Sequence, residues 1–196
     1  ITDRKKEKRE LFDKNQTHMV IGFLGPKSGS PDYYPFRILD SVLSGGMSSR
    51  LFTEVRDKRN LCYTVYSTFD RTVERGAFKI YTATSPENEQ AAYSAIMEVL
   101  QDIQKNGITE DELKTAKAYI NGMYKIGMQD YMGRADSYVA YEILGLGFEN
   151  VEKFPENINA VTVDDVKTVI KKYFNLDGMT KAVVGAELKK KKEEGK

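Results

Sequence analysis

The sequence predicts a single α+β domain, a mostly antiparallel sheet with helices packed on one face. Three observations carry this. The β-rich stretches do not alternate one-for-one with helical stretches, which disfavours a doubly wound parallel sheet. Two of them are consecutive and joined by a turn, as in an antiparallel hairpin. The chain has 196 residues, one domain's length and enough to bury roughly 70% of the unfolded surface.

The first element is Thr17-His18-Met19-Val20-Ile21-Gly22-Phe23-Leu24. It is nearly all apolar and rich in β-formers, so it predicts a strand covered on both faces or nearly so. Gly25 to Gly29 is a loop by composition. Ser30 then reads as a helix N-cap with Pro31 at the first helical position, where its missing N–H costs nothing. That helix turns Phe36, Leu39, Val42 and Leu43 inward, and Gly45-Gly46 ends it. A second helix starts near Met47, because Met47, Leu51 and Val55 repeat every fourth residue as one apolar stripe. Asn60 stops it. The alternating, aromatic run Leu61 to Phe69, a turn at Glu74-Arg75-Gly76 and the run Phe78 to Thr84 form the hairpin.

Ser85-Pro86 repeats the cap chemistry of Ser30-Pro31. It opens a helix with Ala92, Ile96, Val99, Leu100 and Ile103 on one side, closed at Asn106-Gly107. Thr109 and Glu112 form a capping box for a helix through Leu113, Ala116, Ile120 and Met123. A further helix spans about Tyr131 to Leu144, ended by Gly145 and Gly147. Thr162 with Asp165 caps another, through Val166, Val169, Ile170 and Tyr173. Thr180 to Gly185 is the last strand. The domain therefore covers 16–186, between a charged leader, 1–15, and a charged tail, 187–196, expected to be solvated and frayed. The sequence begins at Ile1 rather than Met, which suggests a piece of a longer protein.

Composition excludes several function classes. Lys plus Arg is 30 against 29 Asp plus Glu, so there is no basic excess to displace counterions from a nucleic acid. No apolar run reaches the roughly 20 residues of a membrane span. Catalytic zinc usually takes three protein ligands, but the only histidine is His18 and the only cysteine is Cys62. His18 reads as a packed or edge histidine and Cys62 as a small core residue. No Gly-x-Ser-x-Gly elbow is present, and Gly45-Gly46-Met47-Ser48-Ser49 lacks the Lys that completes a P-loop. On its own, the glycine pair reads as a helix-to-helix hinge.

The stretch from Gly45 to Ser67 is the unusual one: glycine loop, amphipathic helix, tight turn and aromatic strand follow without slack. Arg56 lies in the last helical turn and Tyr63 near the strand start. Folded back at Asn60, their side chains can share one space. A guanidinium fork and a phenol can polarise a peptide carbonyl if the attacking water comes from elsewhere. The plainer reading is an Arg56 surface ion pair beside a half-buried Tyr63.

Gly46-Met47-Ser48-Ser49-Arg50-Leu51-Phe52, Glu54-Val55-Arg56 and Leu61-Cys62-Tyr63-Thr64-Val65 resemble the signature of the second, non-zinc half of pitrilysin/insulinase-type zinc peptidases. These are the inverzincins, including mitochondrial-processing-peptidase-like bacterial members. Asn60 stands where that signature commonly has Gly, an exchange that keeps tolerance of positive φ. The entry into the first helix, Gly29 to Tyr34, is also similar. The resemblance implies a clamshell of two α+β halves. The first binds zinc through His-x-x-Glu-His and a distal Glu. The second supplies an Arg and a Tyr, seven residues apart, that contact the peptide beside the metal. Here these are Arg56 and Tyr63, with Gly45 and Gly46 guiding the peptide as substrate-binding residues.

No cofactor is then expected in this chain, and zinc is expected in the N-terminal half, on the same polypeptide or a separate subunit. The substrate is expected to be a peptide or unfolded protein; the sequence leaves the compartment open, with a soluble location in a bacterial cytoplasm or periplasm compatible with it. The alternative is a non-catalytic structural or interaction subunit of the same fold, with homo-oligomers through a domain face.

Overall fold

The structure, a computed structural model, describes residues 6–12 and 15–186. Five strands form one sheet: β1 (Lys6–Leu11), β2 (Thr17–Gly25), β3 (Thr64–Arg71), β4 (Gly76–Thr84) and β5 (Thr180–Gly185), in spatial order β1-β5-β2-β4-β3. β2 pairs antiparallel with both β4 and β5, β3 with β4, and only β1 with β5 is parallel. Helices α1 (Tyr33–Ser44), α2 (Glu89–Asn106), α3 (Glu110–Gly127), α4 (Tyr131–Ile143), α5 (Phe154–Ala160) and α6 (Val163–Tyr173) complete the α+β domain.

The core forms where apolar residues of period two meet those of period three to four. Met19, Ile21 and Phe23 of β2 and Phe78 and Ile80 of β4 are buried against Phe36, Leu39 and Leu43 of α1 and against Phe174 after α6. Phe36 meets Phe78 edge-on at 5.4 Å, and Phe23 stacks on Phe174 at 5.2 Å. The other face of β2 is open. His18 is exposed and its Nδ1 lies 2.7 Å from the Tyr81 hydroxyl. Among the described residues the strand is therefore covered on one face, not both, and helices pack on that side of the sheet alone.

Several local expectations change. The charged leader contributes β1, so the domain begins at least ten residues earlier than 16. Its charges are used. Arg9 donates to both Glu89 carboxylate oxygens, at 2.7 and 3.0 Å, and to the Ala186 carbonyl at 2.9 Å. The tail, 187–196, and leader residues 1–5 and 13–14 lie outside the described residues. Ser30 does accept from the Asp32 N–H at 3.2 Å, although the regular helix starts only at Tyr33. Met123 is 49% exposed rather than inward. α5 is an additional helix. Both capping boxes form, Thr109 with Glu112 and Thr162 with Asp165.

The largest change lies after α1. Helical structure resumes at Arg50, not Met47, whose side chain is 80% exposed. It then widens into a π-helical turn over Phe52–Asp57, with the Lys58 N–H bonded to the Thr53 carbonyl. Leu51 and Val55 remain fully buried. This short element is tied down by Arg50. Its guanidinium donates to Glu112 at 2.6 and 2.8 Å, to Asp102 at 2.7 Å and to the Gly107 carbonyl at 2.9 Å. Burial pushes the Glu112 carboxyl up, but the bonds from Arg50 and Thr109 outweigh it and hold it below the usual range.

A carboxyl held low stabilises the fold above its unfolded value, about 4.3, and that contribution is lost as pH falls through the folded value. Arg50→Met should lower the unfolding free energy at neutral pH by about 2–3 kcal/mol, since it strands the partly buried Glu112 carboxylate. The variant should also lose less stability than the parent on acidification below about pH 4. Urea unfolding across that range checks both.

Candidate functional site

The corner from Phe52 to Thr64 brings Arg56 and Tyr63 together. The π turn ends at Asp57, and the Asn60 N–H bonds to the Arg56 carbonyl at 3.1 Å. Asn60 has φ 49°, unusual outside glycine. The Leu61 N–H then bonds back to the Val55 carbonyl at 3.0 Å. Next, the strand is captured: Thr84 Oγ1 donates to the Leu61 carbonyl at 2.6 Å, and the Tyr63 N–H to the Ala83 carbonyl at 3.2 Å. Regular pairing starts at Thr64, three residues later than the alternation predicted, because Leu61 to Tyr63 are spent on this return.

The Arg56 guanidinium lies over the Phe52 ring at 4.9 Å and over the Tyr63 ring at 5.7 Å. Such contacts hold a cation without spending its N–H donors. Arg56 is exposed and forms no ion pair among the described residues. Tyr63 is 76% exposed. Both side chains line one open cleft of about 760 Å³ at the end of the sheet, together with Ala83, Thr84 and Asn88. The plainer expectation of an ion-paired Arg56 beside a half-buried Tyr63 does not describe this geometry. Cys62 is buried, and that burial pushes its thiol up despite Thr82 and Arg56, as suits a packing residue rather than a thiolate.

Gly45 and Gly46 are not among the residues lining this cleft. Gly46 has φ 91° and faces the Tyr119 ring. A Cβ on Gly45 would stand 2.5 Å from the Ser41 carbonyl oxygen. Gly45 lines a different groove, between α1 and α3. Phe52, which braces Arg56 from four residues upstream, was not singled out from the sequence, although its aromatic–cation spacing on one helical face could have flagged it. Among the described residues no three His, Cys, Asp or Glu side chains come together as metal ligands. With one exposed histidine bonded to a tyrosine and one buried thiol, the donor set does not fit zinc. No helix among the described residues is long and apolar enough to cross a membrane.

Asn60→Gly should leave stability within about 0.5 kcal/mol, whereas Asn60→Val, which resists positive φ, should cost about 1–2 kcal/mol. Chemical denaturation of both variants checks this.

Comparison with known proteins agrees with the fold. Residues 2–120 match the family model described as the peptidase M16 inactive domain. A Mycobacterium tuberculosis protein named an uncharacterized zinc protease is 34% identical over 157 residues, 80% of this chain and 36% of that protein. A Bacillus subtilis protein named uncharacterized zinc protease YmxG is 28% identical over 176 residues, 90% of this chain and 42% of that protein. The crystal structure of a peptidase M16 inactive domain from Pseudomonas fluorescens superposes with a TM-score of 0.88 at 28% identity, covering 96% of this chain and 45% of that one. The chain thus spans less than half the length of these relatives. Its signature corner, its helices on one sheet face and these matches together establish that it belongs to the peptidase M16 family, as an inactive domain of that family's zinc-protease-like proteins.

Proposed function

We propose that the chain is the substrate-contacting half of a two-half zinc endopeptidase. Arg56 and Tyr63 donate hydrogen bonds to the carbonyl oxygen of a bound peptide. The observation that supports this is the open placement of both donors: the Arg56 guanidinium lies 5.7 Å from the ring of a Tyr63 that is itself 76% exposed. The Arg56 fork stays free for an oxyanion because aromatic faces rather than carboxylates hold it. Tyr63 adds one directional donor. Two fixed donors aimed at developing negative charge are worth more in a closed, water-poor site than in solvent. The N-terminal half of the same protein, or a partner subunit, would hold the zinc and supply the attacking water. The substrate class is a peptide or unfolded protein.

In a protein containing both halves, Arg56→Ala and Tyr63→Phe should each lower kcat/KM for peptide cleavage by about 10²–10³-fold. Bound zinc should stay unchanged. Full cleavage in both variants would overturn the reading.

A second reading is a non-catalytic interaction subunit of the same fold. It is favoured by α4, where Tyr131, Met132 and Ile143 are 93%, 72% and 73% exposed. Self-association lost in Met132→Lys, together with full activity in both cleft variants, would select it.

A further inference from the structure

A second concave site lies on the helical side. Arg37, Asp40, Ser41 and Ser44 follow one another at helical spacing along α1, and Tyr119, Ile120, Met123 and Tyr124 face them from α3. Between them runs a groove of about 430 Å³, with Phe154 of α5 also in its wall. This is within the size range of small-molecule sites. Its floor is polar and its walls are apolar.

The floor is incompletely bonded. Asp40 is satisfied: it accepts from the Ser67 hydroxyl at 2.6 Å and from Arg37 Nη1 at 3.3 Å. Ser44 Oγ accepts the Ser67 N–H at 2.9 Å. Ser41 is only 9% exposed, yet its buried Oγ has no partner, and neither does the buried Nε of Arg37. A buried donor without an acceptor is costly and is the exception in folded proteins. The residues that carry these two groups both line one groove, and turning either side chain toward it would give its group a partner. An anion bound to Arg37 would lie against Asp40, and a cation bound to Asp40 would lie against Arg37. A neutral acceptor avoids both repulsions. Above the floor, Ile120, Met123 and the aromatic rings suit an apolar side chain, and Met adapts to its shape.

We propose that this groove binds an uncharged peptide unit, an apolar or aromatic side chain in the wall with its backbone amide on Arg37 and Ser41. The position suggests a use. Ser67, which is bonded to both Asp40 and Ser44, lies four residues along the strand from Tyr63, about 13 Å at strand rise. An extended substrate held at Tyr63 would reach the groove with a side chain about four positions from the cut. Binding stands independently of the proteolytic reading, whereas this distal-subsite role rests on it.

The test titrates N-acetyl-phenylalaninamide into the isotope-labelled 196-residue chain, followed by NMR. Saturable shifts are expected at Ser41, Gly45 and Met123, weaker for N-acetyl-glycinamide and for the free carboxylate N-acetyl-phenylalanine. Met123 is half-exposed, so Met123→Asp should fold normally and weaken binding about tenfold. Ser41→Ala should weaken it about three- to tenfold by removing one hydrogen bond. Arg56→Ala should leave it unchanged. No saturable shifts, shifts confined to the Arg56 cleft, or equal binding by Met123→Asp would overturn the site. In the two-half protein, Met123→Asp should raise KM only for peptides long enough to span both sites. Amide binding without that KM change would remove the subsite role and keep the binding site. Loss of the Arg56 effect on cleavage, with amide binding intact, would remove only the proteolytic reading.

Discussion

The guanidinium of Arg50 holds the corner on which the cleft is built. The segment after α1 is only a few residues long and ends in a π turn, a geometry with little stability of its own. Arg50 reaches from it to the junction of α2 and α3, where it meets two carboxylates and the carbonyl that ends α2. The signature residue with the most bonds is thus not the one that faces the cleft. It fixes the origin of the turn, and Leu51 and Val55 fix its rotation by filling the core.

With that frame set, two further constraints aim Arg56. The π turn places Phe52 against the guanidinium, and positive φ at Asn60 reverses the chain so that Tyr63 also comes within reach of it. Holding a cation against aromatic faces keeps its donors unspent, which an ion pair could not do. The threonines at the end of β4 then clamp the returning strand at Leu61 and Thr64, where it must leave the helix and enter the sheet.

The glycine pair and the Arg–Tyr pair serve different surfaces. Contiguity in sequence suggests one site, but α1 ends and the π turn begins on opposite sides of the loop between them. Gly45 therefore borders the groove between α1 and α3, while Arg56 opens at the end of the sheet. β3 connects the two, since it starts beside Tyr63 and bonds to Ser44 and Asp40 through Ser67.

Apolar periodicity, capping chemistry and turn residues were enough to place α1, α2, α3, α4, α6 and four of the five strands, because those signals are local. The signature's seven-residue Arg–Tyr spacing was likewise visible, as was the positive φ of Asn60. The tertiary structure decided the rest. A charged run became β1 because Arg9 finds the buried Glu89 eighty residues away, a partner no local pattern announces. The stripe through Met47, Leu51 and Val55 implied an α-helix, yet the glycine pair and the tie from Arg50 delay its start and leave Met47 in solvent. β2 was nearly all apolar, yet helices cover one face of it alone, and an apolar run does not say which face is covered. The unpartnered Ser41 and Arg37 groups exist only where α1 meets α3, since satisfaction of a polar group depends on neighbours in space.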